Sequence, residues 1–178
     1  MFKYLLILSF FLCSCATTVQ QQMISLPHSK FSFQIKSSND VPDAERVSQA
    51  ITIFYHKWRR KFGDKRGRVR ASLDEIMIEW SSKDKILSGM ARDIKGRLVR
   101  IGQVKGMTLG PTYIWLRTNS YDRVASTSLV HELTHVALWA NGCRSGDPDH
   151  EGDLYLCWTK DHTEFVEQLN RTLAQLDI

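Results

Sequence analysis

The sequence predicts an α+β domain. Three observations lead there: helical apolar periodicity near each end of the folding unit, a set of short strand-like runs between them, and one further helix that carries closely spaced histidines. At 178 residues, with 43% apolar and 24% charged residues, the chain suffices for one domain with a real core, not for two.

The elements follow in chain order. Phe31 to Lys36 alternates apolar and polar residues, as a short strand does. Ser38-Asn39-Asp40-Val41-Pro42 reads as a helix start, a capping side chain followed by proline in the first turn. A helix is predicted from about Asp43 to Phe62. Its apolar positions Val47, Ala50, Ile51, Ile53, Phe54 and Trp58 recur mostly at three- and four-residue spacings, and Gly63 stops it. A basic loop comes next. The run from Lys57 to Arg70 holds eight Lys or Arg against one acid, Asp64, while the rest of the chain is close to neutral and the whole carries +5. Such a run suits an anionic surface such as phospholipid or lipopolysaccharide head groups, or is a solvated helix end.

Strands are expected at Ile76 to Trp80, Arg97 to Ile101 and Tyr113 to Arg117. Gly102, Gly106, Gly110 and Pro111 punctuate the stretch as turns. A long helix should run from about Asp122 to Ala140 and end at Asn141-Gly142. An Asp- and Gly-rich loop spans Cys143 to Gly152. A last helix is expected from Thr159 to about Leu176, with Phe165, Leu169 and Leu173 at four-residue spacing. There is no internal repeat.

The first residues stand apart from the fold. Met1-Phe2-Lys3 carries one positive charge, and Tyr4 to Leu12 is apolar except for Ser9. That run is too short for a spanning helix of about 20 residues and fits the core of a secretory signal peptide. Leu12-Cys13-Ser14-Cys15 resembles the lipobox of bacterial lipoproteins, departing from it at Cys13, where Ala, Ser or Thr is commoner. The resemblance implies a signal peptide over 1–14, cleavage after Ser14 and lipidation of Cys15. An ordinary cut near Ala16 is the alternative. Residues 15–30, rich in Ser, Thr and Gln, read as a flexible tether, and 31–178 as the domain. The expectation is an exported, membrane-anchored lipoprotein. Ala16 is not the Asp of an inner-membrane retention signal, which points to the outer membrane in a Gram-negative cell. Export argues against nucleic acid as a partner.

With Cys13 removed and Cys15 lipidated, Cys143 and Cys157 remain. An even pair in an exported domain predicts a disulfide, closing a loop of roughly 15 residues worth about 3 kcal/mol. The alternative is that the two thiolates bind a metal.

The chemistry centres on His131-Glu132-Leu133-Thr134-His135. Histidines four apart on a helix stand on one face, one turn apart, and can hold one tetrahedral zinc. Glu132 then reaches the ion's open position and takes a proton from water that the zinc has acidified. It later returns that proton to the leaving amine. Leu129, Val130, Leu133, Val136, Ala137 and Ala140 form a core side of this helix. His131, His135 and Leu138 form a side facing a cleft.

The motif resembles that of the zincin metallopeptidases, and the order of elements over about residues 41–178 is similar to theirs. The resemblance implies a zincin-like fold: an N-terminal helix, a small twisted sheet, the active-site helix and a C-terminal helix. It also implies a zinc cofactor and an edge strand above the active-site helix that binds substrate backbone, for which Tyr113 to Arg117 is the candidate. Leu138 and Asn141 stand where metzincins carry Gly and His, so the chain is not of that type. The Asn-Glu signature of thermolysin-like enzymes is missing from the last helix, although Glu164 and Glu167 lie there.

For the third ligand, Asp147-Pro148-Asp149-His150-Glu151 is the evident cluster. His150 comes first, because the disulfide would staple its loop; Asp147, Asp149, Glu151 and Glu164 remain open, and a simple polar turn is the bland reading. His162 reads as structural or exposed. Tyr155 packs or polarises an oxyanion, Trp139 lines cleft or core, and His28 and His56 have no role. The expected activity is hydrolysis of peptide bonds in a peptide or protein substrate by a monomer. A catalytically silent binding lipoprotein of the same fold, or a hydrolase of cell-wall peptide cross-links, would carry the same residues.

Overall fold

The structure is a computed structural model that describes residues 21–22, 31–37, 43–81, 90–92, 98–100, 105–117, 124, 128–143 and 157–178. Helix α1 spans Ala44–Lys61. Its cap is Asp43 itself, whose Oδ1 accepts hydrogen bonds from the amides of Glu45 (2.9 Å) and Arg46 (3.4 Å). The cap expected among residues 38–42 falls outside the described residues. Val47, Ala50, Ile51, Phe54 and Trp58 form its buried stripe, and Gly63 ends it with φ +83°.

The basic stretch that follows is not a loop throughout. A 3-10 turn at Lys65–Gly67 leads into a second helix, α2, at Arg68–Asp74. One carboxylate organises the corner. Asp64 Oδ1 accepts from Val69 N (2.8 Å), and its Oδ2 from Arg70 N (3.2 Å) and the Tyr55 hydroxyl (3.1 Å). It thereby satisfies first-turn amides of α2 and ties them to α1. Only Val69 and Leu73 of α2 are buried, too few to give a period in the sequence. Arg70 pairs with Asp74 at 2.9 Å and lies 4.2 Å over the Phe31 ring, while Arg59, Arg60, Lys65, Arg66 and Arg68 are exposed.

Five strands form one mixed sheet: β1 (Gln21–Gln22), β2 (Gln34–Ser37), β3 (Met77–Ser81), β6 (Gly106–Gly110) and β7 (Tyr113–Arg117), in the order β1-β2-β3-β7-β6. Strands β2, β3 and β7 run parallel; β1 and β6 pair antiparallel at the two edges. A separate hairpin joins β4 (Met90–Arg92) and β5 (Leu98–Arg100). Strands β4 and β6 were not expected, and β1 lies inside the stretch read as a tether. Ile78 registers with Ile114, and Trp80 with Leu116; with Ile35 they form the sheet's core face. On the alternate positions the Tyr113 hydroxyl donates to Glu79, and burial with that carboxylate pushes the phenol up to about 12.

Helix α3 spans Leu129–Ala140, starting later than the sequence suggested. The reason is local. Between Asp122 and Ser128 the only large apolar residue is Val124, and Ser126, Thr127 and Ser128 favour caps over helix interiors. Helix α4 spans Lys160–Gln175, close to expectation. Phe165 of α4 sits among Phe54, Trp58 and Phe62 at ring separations of 5.5–5.8 Å, which locks α4 to α1. The Cys143–Cys157 disulfide joins the end of α3 to the approach of α4 across a Cα–Cα distance of 6.2 Å. The chain is thus an α+β domain. Among the described residues no helix is long and apolar enough to cross a membrane.

Asp64→Ala should destabilise the domain by about 2 kcal/mol, roughly one helix cap and one tyrosine hydrogen bond. Chemical denaturation measures this, and an unchanged midpoint would show that the corner is held by other contacts.

Candidate metal centre

Helix α3 lies beneath the edge strand β6 and beside α4. Its i, i+4 geometry brings His131 and His135 onto one turn-spaced face. Their Nε2 atoms are 3.2 Å apart, with ring centroids at 4.9 Å. Two nitrogens bound to one tetrahedral zinc at about 2.0–2.1 Å would stand about 3.3 Å apart. The pair therefore fits a shared ion. Without one, the same distance suits a hydrogen bond between the rings. His135 is buried and His131 half-buried.

A residue missed in the sequence completes this wall. Trp158 is 2% exposed, and its indole lies 4.9 Å from both imidazole rings at tilts of 39° and 42°. Its Nε1 donates to Thr163 Oγ1 at 2.9 Å. In the sequence, a tryptophan beside Cys157 looks like any core aromatic. Only its adjacency to a disulfide cysteine hinted at a fixed position.

Glu132 faces β6. It is 4% exposed, and Thr108 Oγ1 lies 2.8 Å from its Oε2 and 3.1 Å from its backbone oxygen. Burial pushes the carboxyl up to about 7, outweighing the opposing pull of the Thr108 hydrogen bonds. Gly106 makes this proximity feasible. A Cβ there would lie 2.6 Å from Glu132 Oε1 and 2.9 Å from Ser128 Cβ. Gly106 thus serves a close approach, not the turn read from the sequence.

The strand over α3 is β6, not Tyr113–Arg117, which lies inside the sheet between β3 and β6. Chain proximity to α3 favoured β7, but the β6–β7 hairpin turns β6 to the outside. Leu138 is also not on a cleft face: it is buried in the core cluster.

His150, Asp147, Asp149, Glu151, Tyr155, His28 and Cys15 lie outside the described residues. Among the described residues no group of three metal-ligating side chains occurs. Glu164, Glu167 and His56 are exposed on their helices, and Trp139 is half-buried. His162 belongs to the helix, as expected of a structural histidine. Its Nδ1 accepts from Thr159 N at 2.9 Å in a capping box, and its ring stacks on Phe62 at 4.3 Å. No protein-family model, curated protein or solved structure matches the chain.

Gly106→Ala should either displace Glu132 or part β6 from α3, costing about 1–3 kcal/mol as overpacking does. A thermal midpoint equal to that of the unsubstituted chain would refute the close approach.

His162 gives a pH dependence. Burial lowers its pKa below the ordinary 6.5. The unfolded state therefore binds more protons in acid, and this contribution to stability is intact above 6.5. It is lost as pH falls through the lowered folded value. His162→Gln keeps a capping-box residue and should flatten that acid limb in denaturation curves taken between pH 7 and 5. An unchanged limb would assign it to other groups.

Proposed function

We propose that this chain is a zinc-dependent peptidase, exported and held to a membrane through lipid on Cys15. The observation that carries the reading is the 3.2 Å separation of the His131 and His135 Nε2 atoms, on a helix whose next residue, Glu132, is buried beneath an edge strand. His131 and His135 would hold the zinc with His150 as third ligand; Asp147, Asp149 and Glu151 are the substitutes within the same stretch of sequence. A zinc so held supplies Lewis acidity, polarising a peptide carbonyl and acidifying water. The chain's own groups do the remainder. Glu132 takes the proton of the attacking water and delivers it to the departing amine. Thr108 orients the Glu132 carboxyl through the 2.8 Å hydrogen bond. Among the described strands β6 has no partner on its outer side, so its backbone amides and carbonyls can pair with an extended substrate. An extended peptide added there would run alongside α3. Gly106 keeps β6 close enough for that path to pass Glu132.

Metal content and peptidase activity of the full chain, purified without chelator, test the proposal. Wild type should carry about one zinc per chain, and His131→Ala should carry almost none. His150→Ala should also lose most of it. Glu132→Gln should keep the zinc while peptide hydrolysis falls by roughly 100-fold or more. A metal-free wild type overturns the proposal. Full zinc in His150→Ala keeps the enzyme and moves the third ligand to a neighbouring carboxylate.

A further inference from the structure

Trp158 touches the candidate site from a position that a covalent bond controls. It follows Cys157 directly, and Cys157 is bonded to Cys143 just beyond the end of α3. The Cys143 amide in turn donates to Leu138 O at 2.9 Å, which holds that cysteine to the last turn of α3. The bridge therefore ties the indole back to the helix that bears both histidines. On its other side the indole is held by Thr163, in the first turn of α4, and lies 6.1 Å from the His162 ring. It is wedged between the imidazole pair and α4.

This wedge matters for metal binding. Each imidazole rotates about two side-chain bonds, and one ion is shared only when both Nε2 atoms converge. A large flat ring packed against both imidazoles removes alternative rotamers before the metal arrives. Outer contacts of this kind, which orient ligands without touching the ion, typically change metal affinity by 10–100-fold.

We infer that Trp158 is a positioning residue for the metal-binding imidazoles, and that the Cys143–Cys157 disulfide controls it, so that the bridged chain holds zinc more tightly than the unbridged one. This rests on the reading of His131 and His135 as zinc ligands. The controlling step is a dithiol–disulfide exchange. A dithiol reductant gives two electrons and two protons to the bridge, the Sγ–Sγ bond breaks, and Cys143 and Cys157 become thiols. The reductant closes to its own disulfide. The covalent tie of Trp158 to α3 is then lost. In an exported protein the reverse reaction accompanies arrival in an oxidising compartment, so tight zinc loading would follow export.

Zinc titration of the full chain against a chromophoric chelator tests the inference in four forms: wild type, Cys143→Ser with Cys157→Ser, Trp158→Leu, and the triple variant. Serines replace the cysteines because free thiolates bind zinc themselves. The double variant and Trp158→Leu should each weaken zinc binding about tenfold or more. The triple variant should be no weaker than the worse of the two, because both act through the same contact. Losses that multiply in the triple variant, or wild-type affinity in either parent, overturn the inference.

Trp158→Phe guards against a variant that fails to fold. It keeps a ring and should bind zinc within about threefold of wild type. Bound Co(II) should quench the fluorescence of the chain's five tryptophans, and Trp158→Phe should lose much of that quenching. Quenching equal to wild type would place Trp158 away from the metal and refute its role. A wild type that binds no zinc removes the peptidase reading as well; a wild type that binds zinc with insensitive variants removes only the role of Trp158 and the bridge.

Discussion

The approach of β6 to α3 at Gly106 is the constraint on which the rest of this molecule turns. A strand crossing a helix this closely leaves no room for a Cβ between them, since the nearest atoms would be 2.6 Å and 2.9 Å away. That proximity buries Glu132 and brings Thr108 to its carboxyl. Strand β6 is the rim of the sheet, and it passes over Ser128 and Glu132 of α3. A larger residue at position 106 would separate the strand that can offer backbone pairing from the helix that bears the candidate chemistry.

The helix itself serves two environments. Leu129, Val130, Leu133, Val136, Ala137 and Leu138 are buried in the core, while the polar groups of the same helix are also largely withdrawn from water. Such burial is stable only when the polar atoms find partners. Glu132 has Thr108, Thr134 donates to Val130 O at 2.8 Å, and the two imidazole nitrogens face each other. Nearby, His162 and Thr159 satisfy one another at the start of α4. These groups form a layer of separate polar pairs inside an apolar frame, where a low local dielectric strengthens each hydrogen bond.

Covalent and aromatic contacts hold that layer from the C-terminal side. Phe165 joins α4 to the α1 aromatics, and the disulfide joins the end of α3 to the residue before Trp158. The indole is thereby set between the two helices, against both histidines. Stability and site geometry share the same bridge, so one bond serves the closed loop and the wall of the candidate centre.

Where periodicity or fixed helical geometry applied, the sequence was legible. The stripe Val47, Ala50, Ile51, Phe54 and Trp58 marks α1, and Phe165, Leu169 and Leu173 mark α4, because a buried helix face repeats its apolar residues every turn. The spacing of His131 and His135 enforces their proximity without reference to any other element. The α+β class and the pairing of Cys143 with Cys157 followed from similarly short-range evidence. What the tertiary structure alone decided is non-local. Strand β6 carries no alternation that betrays it, since its glycine answers to the crowding of α3, far along the chain. Helix α2 exists through the Asp64 carboxylate, which satisfies amides that its own sequence leaves open. Which strand lies at the edge depends on the parallel pairing of β3 with β7, and the role of Trp158 depends on where a disulfide returns the chain. Local spacing determines what a segment can become; close packing between distant segments determines which residues share a site.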